Sequence, residues 1–301
     1  MSKFALHIAT KNRIKDLKIT LFRMVHIIDN SQLEIVIFDD GSTDGTFEII
    51  KKEFPNIKLY RNDISRGYMY CRNKMLNETK AEFAITLDDD ANFLTENPLK
   101  IIEDYFKNNS NCGAIATRIY WNDVEPIHFQ THQESQQVQG FVGCGHVWRM
   151  KAWRDIPDYP EWYQFYGEEI FASMQLYKKG WEVHYVPQLF IHHRVNLKSR
   201  GLNNKDTLVR YKNALRADWL NYLIFLPLTK IPIKFAYSLW MQLKNKVFKG
   251  NLKIVKPLFQ AKFDVFKSIP KVLKNRNPFT VAEFEGYYKL TPTKIFWNPK
   301  K

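Results

Sequence analysis

Two apolar runs in the first third of the chain each end in a burst of carboxylates, and that pairing limits the fold more than any other feature. Leu33 to Phe38 leads into Asp39-Asp40-Gly41-Ser42-Thr43-Asp44, and Phe83 to Leu87 leads into Asp88-Asp89-Asp90. Short apolar runs closed by turn-forming residues read as buried strands. Carboxylates that end parallel strands converge on the crevice at the carboxyl edge of an open α/β sheet, where ligands bind. So much negative charge at one edge is unfavourable unless a cation is held there. Hard oxygen ligands select Mg²⁺ or Mn²⁺, ions that typically hold a substrate's phosphates as well. The pattern points to a metal-assisted nucleotide site.

The rest of the chain to about Arg194 alternates strand-like and helix-like segments at the spacing of βαβ units. Phe4–Thr10, Ile57–Tyr60 and Gly113–Ile119 read as further strands. Helical periodicity runs over Ile14–Ile28, Thr46–Phe54, Tyr68–Leu76 and Pro98–Phe106. Asn97-Pro98 has the form of an N-cap followed by proline at the first helical position, and Asp44 is placed to cap the helix from Thr46. Glu168–Lys179 reads as a helix stopped by Gly180, with a strand at Trp181–Tyr185 after it. Trp121 to Gln139 is polar and aperiodic, the mark of a long surface loop. The expected fold is α/β, a Rossmann-like, mostly parallel sheet flanked by helices.

Charge divides the chain at about residue 197. From Leu197 onward there are 22 Lys and Arg against 5 Asp and Glu, a net of +17; the remainder carries 23 against 26, a net of −3. This sets a nucleotide-binding and catalytic domain at 1–196 apart from a basic, helical region at 197–301. Such asymmetry implies an acidic partner, either nucleic acid or an anionic membrane. Apolar stretches around Trp219–Leu226 and Phe235–Met241 are broken by Pro227, Lys230, Pro232 and Lys234, too soon for a membrane span. Aromatic and apolar residues among lysines suit helices lying in a membrane interface. The competing expectation is a basic helical hairpin packed on the core. Cys71, Cys112 and Cys144 are odd in number and widely spaced, which argues against a disulfide framework and for a reducing compartment. Phe4 follows Met1 too closely for a signal peptide, so a cytoplasmic location is expected.

Read in order, Thr10-Lys11-Asn12-Arg13, Asp39 to Asp44, Arg72-Asn73, Leu87-Asp88-Asp89-Asp90 and Gly167-Glu168-Glu169 resemble the family 2 glycosyltransferases of the GT-A fold. The likeness covers about residues 4–194. It implies that Asp39 hydrogen-bonds the nucleobase, with Thr10, Asn12, Arg13 and Gly41 around it and Arg66 and Arg72 toward ribose or phosphate. Either arginine serves equally well as a surface ion-pair partner. A carboxylate accepting an imide N–H would prefer uracil or thymine over cytosine. Asp88, Asp89 and Asp90 correspond to the DxD motif: Asp90 is expected to ligate Mn²⁺ or Mg²⁺, with Asp88 and Asp89 on the nucleotide side. One of His192 and His193 is expected to complete the metal site, because adjacent strand residues point to opposite faces.

The resemblance also implies that the second acid of Glu168-Glu169 is the general base. The family has Glu-Asp there, so the longer second side chain leaves the choice between Glu168 and Glu169 open. Gly143-Cys144-Gly145-His146 reads as a tight turn beside the acceptor, and Trp148, Trp153, Trp162 and Tyr163 as either sugar platforms or core. Tyr211–Leu215 and Leu273–Arg276 resemble tails of bacterial members that build surface polysaccharides on lipid-linked acceptors. The expected function is inverting transfer from a UDP- or dTDP-sugar to a hydroxyl of a glycan or lipid-linked acceptor. The expected setting is the inner face of the cell membrane, with an anionic membrane surface as partner and no nucleic acid. A non-catalytic sugar-nucleotide binder and a nucleic-acid-binding protein are the alternatives, although no RNP motif or zinc finger accompanies the basic region.

Overall fold

The computed structural model describes residues 2–28, 30–127, 130–195 and 205–294. Its centre is a mixed sheet of nine strands: β1 (Phe4–Thr10), β2 (Leu33–Asp39), β3 (Lys58–Arg61), β4 (Phe83–Asp88), β5 (Ala91–Phe93), β6 (Cys112–Trp121), β7 (Gln136–Val138), β8 (His146–Arg149) and β9 (Glu182–His193). The order is β3-β2-β1-β4-β8-β6-β9-β5, with β7 paired to β9. The first four strands are parallel, and β8 enters antiparallel between β4 and β6. Because β1 is flanked by β2 on one side and β4 on the other, their connections leave in opposite directions. A crevice opens where the strands end, and the register brings Thr10 beside Asp39 and Ala9 beside Asp88.

Alternation along β1 assigns the two layers. Phe4, Leu6 and Ile8 face a core shared with Leu17 and Leu21 of helix α1 (Ile14–Arg23), Ile27 of α2 (Val25–Ile28), Ile50 of α3 (Thr46–Glu53), and Ile102 and Phe106 of α5 (Pro98–Asn108). The opposite face is lined by small residues, Ala84, Ala114 and Ala116, which leave room for Trp148 and Trp153 beneath α4 (Tyr68–Glu78), α6 (Met150–Arg154) and α7 (Glu168–Lys178).

That second core does not stop at the charge boundary. It continues into Trp219, Leu220, Ile224 and Phe225 of α8 (Lys205–Phe225), and into Leu258, Ala261 and Val265 of α10 (Val255–Lys267), with α9 (Ile231–Gln242) between them in the chain. α11 (Ile269–Asn275) and α12 (Val281–Lys289) complete the layer. The basic region is thus packed on the N-terminal part of the chain, while the boundary at 196/197 itself lies outside the described residues.

Several local expectations need adjustment. The helix expected at Ile14–Ile28 breaks at Met24 into α1 and α2. Asn97 makes no side-chain cap, although Pro98 does start α5. Asp44 does more than expected: its carboxylate accepts from the N–H of Thr46 at 3.1 Å and from that of Ile14 at 3.3 Å, tying together the starts of α3 and α1. The expected loop Trp121–Gln139 contains β7 at its end. β9 runs eight residues beyond Tyr185, because the register shift between Thr117 and Arg118 absorbs Pro187 to Leu189 and pairing then resumes.

Candidate active site

The carboxyl ends of β1 and β4, the start of α7 and the Gly143-Cys144 turn enclose a cleft of about 510 Å³. Asp88, Asp89 and Asp90 lie on its floor, the latter two 5% exposed. Three cations answer them. Arg13 Nη2 lies 2.7 Å from Asp90 Oδ2 and Nη1 lies 3.3 Å from Asp89 Oδ1. Arg72 Nη2 lies 2.7 Å from Asp88 Oδ1, and His193 Nε2 lies 3.0 Å from Asp90 Oδ1 and 3.7 Å from Asp88 Oδ2. Burial works against charge on Asp90, but His193 and Arg13 hold its carboxyl well below the usual range. Asp89 moves the other way: burial pushes it up to about 7, Arg13 only partly opposing.

Carboxylate oxygens of Asp88 and Asp90 thus each approach the His193 imidazole, donor types that suit Mn²⁺ or Mg²⁺. Among the described residues, the group whose donor atoms all lie within 4.8 Å of one another is Asp88, Cys144 and His193. Burial raises that thiol above its ordinary range, so it remains protonated and a poor ligand for a hard ion. His192 does not belong to the site. Neighbouring residues on β9 alternate faces, and its ring contacts Arg23 Nη1 at 3.2 Å and the carbonyl of Asn122 at 2.8 Å instead.

At the end of β1, Thr10 Oγ1 donates to Asp89 Oδ2 at 2.8 Å. Asp39 is fully buried and does not line the cleft: Oδ1 accepts from Ser42 N–H at 2.9 Å, while Oδ2 has no hydrogen-bond partner. Asp40, from the first acidic cluster, organises the rim. Its two oxygens accept from Asn62, Ser65 and the backbone N–H groups of Arg66 and Gly67, at 2.6 to 2.9 Å. Gly41 has φ +73°, and a Cβ there would lie 3.0 Å from Ser65 N, so only glycine fits. Asn12, at φ 55°, accepts from Thr43 N–H at 2.7 Å and donates its own N–H to Ser42 Oγ at 2.9 Å. Asn12 and Gly41 therefore shape the loop and do not line the cleft. Arg66 is also outside it, stacked 3.5 Å over the Tyr70 ring.

At the opposite end, α7 begins after Gly167 (φ +87°). Glu168 is 1% exposed, its Oε1 3.5 Å from Arg72 Nη1. Burial first, then the neighbouring Glu169, raise its carboxyl well above the ordinary range. Glu169 is half-buried and lines the cleft, with Oε1 accepting from the Gly143 N–H at 3.0 Å. The expected turn at Gly143–His146 is therefore in place and touches the acid directly.

The aromatic walls are Tyr68, Trp121, Phe165 and Tyr166. Trp148, Trp153 and Tyr163 are core, at most 1% exposed, and Trp162 packs partly against the same core. Sequence reading missed Tyr68, Phe165, Tyr166 and also Arg210, which reaches the cleft from α8 and donates to Tyr166 Oη at 3.1 Å. The only signal available was the density of aromatics ahead of Gly167.

A family model described as "Glycosyl transferase family 2" matches residues 6–166. The poly-beta-1,6-N-acetyl-D-glucosamine synthase of Staphylococcus epidermidis is 30% identical over 178 residues, 54% of this chain and 42% of that protein. The SPbeta prophage-derived glycosyltransferase SunS of Bacillus subtilis (strain 168) is 34% identical over 68 residues, 23% of this chain and 16% of that one. The chain spans less than half the length of these curated relatives. Among solved structures, S. aureus TarS 1-349 in complex with UDP aligns with TM-score 0.59 and 16% identity, over 90% of this chain and 82% of that one. The mannosyltransferase PcManGT from Pyrobaculum calidifontis, in complex with GDP-Man and Mn²⁺, aligns with TM-score 0.57 and 14% identity, over 95% and 79%. At these identities the likeness carries the fold, which is GT-A.

Proposed function

Since the chain belongs to glycosyl transferase family 2, we propose that it moves a sugar, with inversion, from a UDP- or dTDP-sugar to a hydroxyl of a glycan or lipid-linked acceptor. The setting is surface polysaccharide synthesis, peripherally at the inner face of the cell membrane. One observation carries this reading: Arg72 touches both Asp88 of the acidic floor and Glu168 beside Glu169. A donor phosphate subsite and a candidate base therefore share one cleft.

Asp39 Oδ2, buried without a hydrogen bond and with Arg61 Nε 4.0 Å away, is the acceptor left over for an imide N–H of the nucleobase. Thr10, Arg13 and Arg72 line the cleft and would face the ribose and phosphates. A divalent cation held by Asp88, Asp90 and His193 would offset the negative charge of the donor's pyrophosphate. Glu169, rather than Glu168, takes the acceptor proton, because Glu168, although it borders the cleft, is 1% exposed and burial raises its carboxyl well above the ordinary range, whereas Glu169 is half-buried. The Gly143 N–H fixes Oε1 of Glu169 and leaves Oε2 for the acceptor hydroxyl. The acceptor oxygen then bonds to the anomeric carbon, the bond from that carbon to the phosphate oxygen breaks, and the nucleoside diphosphate departs. In-line displacement at one carbon inverts its configuration.

Thermal-shift and nucleotide-release screening against UDP-, dTDP- and GDP-sugars, with Mn²⁺ or with EDTA, tests the reading. Metal-dependent stabilisation by one nucleotide class, with slow release of the free nucleotide, is the expected result. No response to any donor would overturn it.

A further inference from the structure

Helices α9 and α10 each present a complete apolar stripe to solvent. Ile233, Tyr237 and Trp240 recur at i, i+4 and i+7 on α9, exposed by 68%, 61% and 51%. Phe259, Phe263 and Phe266 repeat that spacing on α10, exposed by 66%, 56% and 74%. α10 already has an inner stripe, with Leu258, Ala261 and Val265 buried in the core. Its outer phenylalanines are therefore surplus to folding. Between the two helices Phe248 and Leu252 are also exposed, each by 68%. Apolar residues exposed at this density mark a surface that meets an apolar phase or another protein.

The charge around these stripes chooses between them. Residues 228–278 hold 11 Lys and one Arg against a single acid, Asp264. Asp264 is turned inward, 3.0 Å from Lys212 Nζ and 4.0 Å from Arg216 Nη1. Lys249, Lys256, Lys262 and Lys267 are exposed alongside the phenylalanines, and Lys267 Nζ lies 4.4 Å over the Phe263 ring. A basic surface of one sign repels a second copy of itself and attracts an anionic bilayer, into whose interface aromatic rings partition. Among the described residues no helix is long and apolar enough to cross a membrane, so the contact is a surface one.

We propose that the outer face of α9 and α10 lies in the interface of an anionic membrane, with Ile233, Tyr237, Trp240, Phe259, Phe263 and Phe266 entering the headgroup boundary. This deepens the functional reading by naming the face on which the protein would meet a lipid-linked acceptor, and it rests on that reading only for its purpose. α8 carries the consequence to the cleft, since its inner side packs in the core and its Arg210 stands at the cleft rim.

The test is co-sedimentation of the full chain with phosphatidylcholine vesicles, alone or with about a third phosphatidylglycerol. The chain should pellet with the anionic vesicles and remain in solution with the neutral ones. The combined change F259S, F263S and F266S should lower vesicle affinity by about tenfold or more, and Trp240 emission should shift to the blue on binding only in the parent chain. These side chains are exposed, so the variant should keep the parent's Tm and its donor-induced thermal shift. No binding to anionic vesicles, or equal binding by the variant, would overturn the proposal. So would a lipid-free dimer in light scattering that the same substitutions dissolve. A chain that binds vesicles yet answers no sugar nucleotide would sink the transferase reading and leave the membrane face standing.

Discussion

The Gly143 backbone N–H donates to Glu169 Oε1 at 3.0 Å, and a Cβ built on Gly143 would fall 2.5 Å from that same oxygen. The glycine therefore serves the acid twice, by offering a donor and by offering no side chain. Gly143→Ala should push the carboxylate out of place and crowd Arg72 Nη1, which would lie 3.2 Å from the new methyl. General-base catalysis contributes about 10²–10⁴-fold, so kcat should fall within that range while donor binding by calorimetry stays close to the parent's. Loss of donor binding along with kcat would mean the turn supports the whole cleft and not the acid alone.

Glu168 should reveal itself in the pH dependence of stability. The Glu168 carboxyl is raised well above its ordinary value of 4.5, by burial and by the adjacent acid. The native chain then keeps a proton that the unfolded chain gives up above about pH 4.5, so this group's contribution to stability falls as pH rises. Glu168→Gln removes the titration and keeps an acceptor for Arg72. Its Tm advantage over the parent should widen as pH rises above about 4.5. A difference that is flat with pH would identify Glu168 as an ionised partner of Arg72. Glu169→Gln should abolish turnover.

The C-terminal half is needed for the site as well as for the core. Asn221 of α8, 1% exposed, accepts from Tyr163 Oη at 2.8 Å and donates to the Gly167 carbonyl at 3.0 Å. Arg216 donates to the Tyr163 carbonyl and, at 3.3 Å, to Gln164 Oε1. Between those anchors Gln164 and Tyr166 sit at φ 65° and 70°, a region that non-glycine residues adopt only when the surroundings impose it. Asn221→Ala should leave the buried Tyr163 hydroxyl unpaired, at about 1–3 kcal/mol, leave the Gly167 carbonyl with the Phe171 N–H alone, and lower kcat by loosening the start of α7. Truncation after residue 204 should give no folded transferase by circular dichroism and activity. A folded, active truncation would restore the picture of a detachable tail.

What was legible in the sequence follows from where the information lies. β1 was read to the residue because its ends are set by local signals, an apolar run stopping at Thr10. The acids of the floor were found because carboxylates after a strand have few other uses. β9 was cut short since Pro187 looks like a terminator, and only the partner strand shows that pairing resumes beyond it. The role of Asp40 in the rim was hidden because its four donors come from 22 to 27 positions away. Arg210 was out of reach for the same reason: it meets Tyr166 across 44 residues, through the packing of a helix that charge alone had set apart as an appendage.

The paired histidines at the end of β9 allow a sharp comparison, because they are chemically identical and adjacent but face opposite ways. His193 Nε2 is 3.0 Å from Asp90 Oδ1, whereas His192 Nε2 is 2.8 Å from the Asn122 carbonyl and its Nδ1 is 3.2 Å from Arg23. His193→Ala should lower Mn²⁺ affinity by about 10–100-fold, as removal of an orienting group or ligand typically does, and should shrink the metal-dependent part of the donor's thermal shift. His192→Ala should leave that metal-dependent part intact. Its effect should fall on Tm, because the Asn122 carbonyl and Arg23 both lose a buried partner. The measurement is a Mn²⁺ titration of Tm for both variants with and without UDP. If the two respond alike, the metal is not held by the Asp90 side of β9, and the donor set Asp88, Asp90 and His193 must be abandoned.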